Sequence, residues 1–108
     1  MGLFRRRRGS TPNKAGRDDR KHLEEFAATH RGVEAYVEPR TTMTETTVVL
    51  VAYDGEWTRR RVPSPQVLHE WANERGIPSY DAGVVGYPQR MRDYSSRKAA
   101  ERRRLLES

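Results

Sequence analysis

Three histidines, His22, His30 and His69, are the side chains of this chain best suited to proton transfer or metal binding at neutral pH. Their spacing argues against a shared site. His22 and His30 stand eight apart, not the four that place two imidazoles on adjacent turns of one helix. His69 precedes Glu70, and adjacent helical residues do not face each other. The bland expectation is surface or partly buried histidines with no metal. The chain has no cysteine, which removes thiol nucleophiles, thiolate metal sites and disulfides together. Neighbouring carboxylates, Asp18–Asp19 and Glu24–Glu25, suit the first turn of a helix better than an acid–base pair. Gly83 and Gly86 fall in Ala-Gly-Val-Val-Gly-Tyr, without the three-glycine run of a dinucleotide fingerprint. The Gly-Lys-Ser/Thr ending of a phosphate loop is also absent. No catalytic residue, cofactor or metal ligand is therefore assigned, and the expectation leans away from an enzyme.

Arginine supplies the remaining chemistry. Arginine outnumbers lysine 18 to 3, and the net charge is +6. That charge is unevenly placed. Residues 1–20 hold seven cations against two carboxylates, residues 21–88 hold seven against ten, and residues 89–108 hold seven against three. The ends are basic and the middle mildly acidic. Basic ends of this kind suit a polyanion: RNA, DNA, the ribosome, an acidic protein or an anionic membrane surface. They also suit solubility alone. The candidate polyanion-binding residues are Arg5, Arg6, Arg7, Arg8, Arg90, Arg92, Arg102, Arg103 and Arg104. Tyr87 and Tyr94 flank Arg90 and Arg92 and are candidates for stacking on unpaired bases. The competing expectation is that Tyr87, Met91 and Tyr94 pack the chain end onto the fold. A membrane role rests only on Leu3 and Phe4 beside the arginine run and ranks lower.

Arg59-Arg60-Arg61 forms a second basic run. On a strand its side chains alternate, so the expected role is protection of a sheet edge rather than one binding surface. Trp57 and Trp71 read as core residues before they read as stacking platforms, with Trp57 expected opposite Ala52.

The elements that must position these groups follow from the pattern. The chain of 108 residues fits one domain, and a mean hydropathy of −1.00 is too polar for all of it to pack. Residues 1–17 read as a flexible basic arm, 18–94 as a single α+β domain and 95–108 as a basic C-terminal helix or tail. A first helix is expected from Asp19 to Arg31, with Asp18 or Asp19 capping it and Leu23, Phe26, Ala27 and His30 on one stripe. Strands are expected at Val33–Glu38 and Thr46–Tyr53. Asp54-Gly55 is expected to form a two-residue hairpin turn, and the return strand to run Glu56–Val62. Ser64-Pro65 opens a second helix with Val67, Leu68, Trp71 and Arg75 inward, closed by Gly76. A weak strand is expected at Ser79–Val85. The final helix, capped by Ser95 or Ser96, has no sustained apolar stripe and is expected to form only when bound. The architecture predicted is a small antiparallel sheet of three to four strands packed against two helices. No secretory signal, myristoylation pattern or membrane-spanning run is present, and a cytoplasmic location is expected.

Met-Gly-Leu-Phe-Arg-Arg-Arg-Arg, Arg31-Gly-Val-Glu-Ala-Tyr-Val-Glu-Pro-Arg40, the hairpin from Thr-Val-Val-Leu-Val-Ala to Gly-Glu-Trp-Thr-Arg-Arg-Arg, and Gly86-Tyr-Pro-Gln-Arg-Met-Arg-Asp-Tyr94 together resemble a family of small actinobacterial proteins. The arginine excess suits a GC-rich genome. The resemblance implies no activity and transfers no catalytic residue. Oxidoreductase-type labels attached to such proteins find no cofactor fingerprint here. Two functional expectations remain: a small non-enzymatic protein whose basic termini contact a polyanion, or a protein-interaction module built on the acidic centre. A small-molecule enzyme stands third.

Overall fold

The computed structural model describes residues 14–107. The elements run α1 (Lys14–Thr29), β1 (Glu34–Glu38), β2 (Thr47–Val51), β3 (Trp57–Arg61), α2 (Pro65–Glu74), β4 (Ser79–Asp81), α3 (Ala82–Val85) and α4 (Gln89–Glu107). The fold is α+β. Its single sheet has the order β3-β2-β1-β4. β2 pairs antiparallel with both β1 and β3, while β4 pairs parallel with β1. The sheet is thus mixed. α2 carries the chain from the β3 edge back over one face, so β4 enters in the direction of β1.

β2 is the most apolar strand, and its period-two alternation supplies both faces of the sheet. On the first face Val48, Leu50 and Ala52 join Ala35 and Val37 of β1 beneath Leu23 and Phe26 of α1 and Leu68, Trp71 and Ala72 of α2. Leu50 and Leu68 are sealed from solvent. Truncating either to alanine would cost about 2–5 kcal/mol. On the second face Val49 and Val51 join Tyr36 and Ala82, with Trp57, Tyr87 and Met91 packed against them. The sheet is therefore covered on both sides, by α1 and α2 on one and by the Tyr87–Met91 segment on the other.

α1 starts at Lys14, five residues before Asp19, so residues 14–17 belong to the helix rather than to an arm. Asp19 is not a cap. It lies in the second turn, 3.6 Å from Arg60 Nε and 3.5 Å from Arg61 Nε. α2 follows its expected chemistry: Ser64 Oγ accepts from Val67 N at 3.2 Å, and Pro65 occupies the first turn. Ala72, not Val67, completes its buried face. The hairpin loop holds three residues instead of two. Ala52 N donates to Glu56 O, Gly55 N donates to Ala52 O, and only Gly55 takes a positive φ, +95°. This shift of the loop places Trp57 opposite Val51 rather than Ala52, on the second face. The expected strand at 79–85 stops at Asp81, whose Oδ1 accepts from Gly83 N at 2.8 Å and starts α3.

α4 is the largest departure. It begins at Gln89 and runs unbroken for 19 residues. The helix initiated at Ser95 is marginal because nucleation is unfavourable. Here the two turns before Ser95 are already fixed on the sheet, so the distal turns only propagate an existing helix.

Candidate polyanion interface

β3 is an edge strand, and its arginines divide by face. Arg59 lies on the second face and makes a bidentate contact to Glu38, Nε to Oε1 at 2.9 Å and NH2 to Oε2 at 3.1 Å. Its Cζ also stands 5.4 Å from the Trp57 ring. Arg60 and Arg61 both reach Asp19, although strand alternation sends them to opposite faces. Arg60 NH1 further donates to the Arg59 carbonyl at 3.2 Å. Three guanidiniums thus cover this edge, which is the geometry of edge protection.

Glu38 is a hub on the second face. It accepts from Arg59, from Thr47 Oγ1 at 2.6 Å and from the Tyr87 hydroxyl. Burial would raise its carboxyl, but the bonds from Arg59, Thr47 and Tyr87 outweigh that and hold it below the ordinary range. Burial first, and the adjacent Glu38 second, push the Tyr87 hydroxyl up. Glu34, two residues before Tyr36 on the same face, is the second hub. It accepts from Tyr36 OH at 2.7 Å and from Arg90 NH2 at 2.8 Å. Burial opposes ionisation of Glu34, yet the bonds from Arg90 and Tyr36 leave its carboxyl lowered. Tyr36 is pushed up to about 12, first by burial and then by Glu34.

These hubs decide where the candidate residues sit. Arg90 is committed to the fold: beyond Glu34, its Nε donates to Ala52 O at 2.9 Å. Tyr87 is bound to Glu38, and its ring lies 6.1 Å from Tyr36 in a tilted contact. Tyr94 is half-buried, with Arg97 and Lys98 over its ring at 5.8 and 5.7 Å. The segment 87–94 thus fastens α4 to the sheet. The fastening continues through Ser95 Oγ, which accepts from Trp57 Nε1 at 3.0 Å, and through Arg97 NH2, which donates to Asp54 O at 3.1 Å. Gly55 lies under this crossing. A Cβ there would collide with the Arg90 carbonyl oxygen and stand 2.9 Å from Tyr94 Cβ.

Arg92 faces outward and, among the described residues, bonds along its own helix, to Gln89 Oε1 at 2.9 Å. Arg102, Arg103 and Arg104 are exposed on the distal half of α4. Among the described residues, no ion pair involves Arg102 or Arg103. Leu105 and Leu106 beside them are 76% and 80% exposed. Arg5, Arg6, Arg7 and Arg8 lie outside the described residues. The structure therefore separates the candidates: Arg90 and Tyr87 lock the helix, while Arg92, Arg102 and Arg103 are presented by it. The sequence did not single out Glu34 and Glu38 as the locks. Their period-two placement with Tyr36 on β1 was the available signal.

The three histidines each have a separate partner. His22 Nε2 contacts Thr58 Oγ1 at 2.7 Å, His30 Nε2 lies 3.1 Å from Glu56, and His69 Nδ1 contacts Ser79 Oγ at 2.6 Å. Burial lowers the His22 pKa, and the nearby Arg60 charge lowers it further. Among the described residues, no group of three His, Asp or Glu side chains is arranged to hold a metal ion. An open groove of about 520 Å³ lies between the end of α1 and the loop after α2, lined by Ala27, His30, Val33 and Ile77. Glu24 and Arg75 at its rim are paired with each other at 2.6 Å. No described helix is long and apolar enough to cross a membrane. Compared with protein-family models, with curated proteins and with solved structures, the chain matches none.

Proposed function

We propose that this protein is a non-enzymatic binder of an extended polyanion, with nucleic acid as the ligand. The observation that carries the reading is α4. Its first turns are fastened to the sheet by Arg90, Ser95 and Arg97, and its distal turns hold Arg102 and Arg103 in solvent with no carboxylate partner among the described residues. Arg104 adds a further charge, and Arg5 to Arg8 extend the basic character at the other terminus. The positions of the two ends favour a polymer. α1 begins beside the Arg60–Arg61 end of β3, through Asp19, whereas α4 leaves beside the Asp54 turn. These points stand at opposite ends of β3, about 15 Å apart. A long anion engages both more readily than a compact one.

Fluorescence anisotropy with a labelled 24-nucleotide ligand and the full-length protein tests the proposal. If about six phosphates are neutralised on duplex DNA, the affinity falls with a log–log salt slope near −5. Absence of binding to any RNA or DNA at low salt removes the reading. Leu105 and Leu106, standing in water at the tip of α4, favour a second reading in which that tip docks on a protein partner. Replacing both by glutamine would then abolish partner capture and leave the salt-dependent component intact.

A further inference from the structure

The distribution of side chains around α4 points to a narrower ligand, and this step rests on the polyanion reading above. Ala99, Arg102, Arg103 and Leu106 follow the spacing i, i+3, i+4, i+7 and share one face. Arg92 and Ser96 extend the same row toward the start of the helix. At about 100° per residue, these six lie within roughly a third of the circumference. Arg90, Tyr94 and Arg97, which meet the sheet and the hairpin turn, occupy the opposite side. Ser95, which meets Trp57, falls within the same third, and Met91 at its border packs against the sheet, so the row is clear of the body only in the last turns, where Arg102, Arg103 and Leu106 are exposed. All three carboxylates of α4, Asp93, Glu101 and Glu107, fall outside it. Asp93 accepts from Gln89, and Glu101 lies near Lys98.

The face has an ordered chemistry. Ala99 and Leu106 mark its centre line, with Arg102 on one flank and Arg103 on the other. A flat anionic surface needs cations along one line. A groove with two phosphate walls needs cations on both flanks and small or apolar groups between them. The B-form major groove is about 12 Å wide and admits one helix, and the apolar centre can meet thymine methyl groups there. The A-form major groove is too deep and narrow for this. We propose that the distal turns of α4 dock in the major groove of double-stranded DNA, with Arg102 and Arg103 on the two phosphate walls and Arg92 on the backbone nearer the body.

The test compares charge-equivalent variants of the full-length protein, R102Q, R103Q and R40Q. Arg40 is an exposed cation outside α4, so each variant removes one charge but only the first two alter the face. The ligands are a 24-base-pair DNA duplex, its single strand and an RNA duplex of the same length. Far-ultraviolet circular dichroism verifies that each variant keeps its helix. The expected result is DNA-duplex binding tighter than binding to either other ligand. R102Q and R103Q each lose about tenfold in duplex affinity, as for a phosphate-contacting arginine, while R40Q loses no more than about twofold. Equal losses for all three variants, or no preference for the DNA duplex, would overturn the groove proposal and leave general polyanion binding standing. Failure of the unaltered protein to bind any of the three ligands at low salt would overturn both.

Discussion

Replacing Gly55 by alanine tests whether α4 is seated on the hairpin as described. Two effects add at this position. The φ of +95° disfavours any residue with a Cβ, by about 1–2 kcal/mol. The new methyl group would also occupy the space of the Arg90 carbonyl and crowd Tyr94 Cβ, so the first turns of α4 must lift. Lifting them strains the two Arg90 bonds, to Ala52 O and to Glu34. A charge-assisted bond at a half-exposed site contributes about 1–1.5 kcal/mol, so loss of both with the backbone effect comes to about 3–5 kcal/mol. Gly76 provides the control. Its φ is +70°, and a Cβ there meets nothing within 4 Å. Gly76→Ala should cost only the backbone effect, about 1–2 kcal/mol. Urea unfolding of both variants measures the difference, and amide exchange across residues 90–106 shows whether α4 frays. If Gly55→Ala is no more costly than Gly76→Ala, the hairpin turn does not seat the helix.

Arg90→Met should destabilise by about 2 kcal/mol and raise amide exchange along α4, because Ala52 O and Glu34 both lose a donor; urea midpoints and exchange rates measure this. Glu34 and Glu38 both have folded pKa values below their unfolded ones, so their contribution is complete above the ordinary carboxylate pKa of about 4.3 and is lost as pH falls through the lowered values. The double variant E34Q/E38Q should therefore be less stable at neutral pH and show a flatter stability profile under acid, read by thermal melts at stepped pH. Tyr36 has the opposite sign: its folded pKa of about 12 exceeds the unfolded value, so its contribution is present below about pH 10 and disappears as pH rises through 12. Tyrosinate absorbance should show one late-titrating phenol that Tyr36→Phe removes.

Local pattern located most of the elements. β2 announced itself through Val48, Val49, Leu50 and Val51, which are apolar on both faces because the strand is covered on both. Ser64-Pro65 and Gly76 marked α2 at both ends. What the pattern lacked was long-range pairing. α4 looks marginal alone because its order comes from Glu34, Ala52, Asp54 and Trp57, between 38 and 56 residues away. Asp19 looked like a cap, since nothing near it in sequence announces Arg60 and Arg61. The hairpin loop was misjudged by one residue, and that displaced Trp57 to the other face. For the candidate site, the arginine-rich ends were evident from composition. The division between locking and presented arginines depended on which carboxylates the sheet brought near.

The position of Trp57 gives the molecule an optical signal of its own. Its indole N–H is held by Ser95 in the seam between sheet and α4, while Trp71 lies buried on the far side of the sheet with its N–H on Glu24. Water entering that seam would shift the emission of Trp57 and leave that of Trp71 unchanged. Every lifting of the helix from its seat should thus be visible as a red shift without any added label.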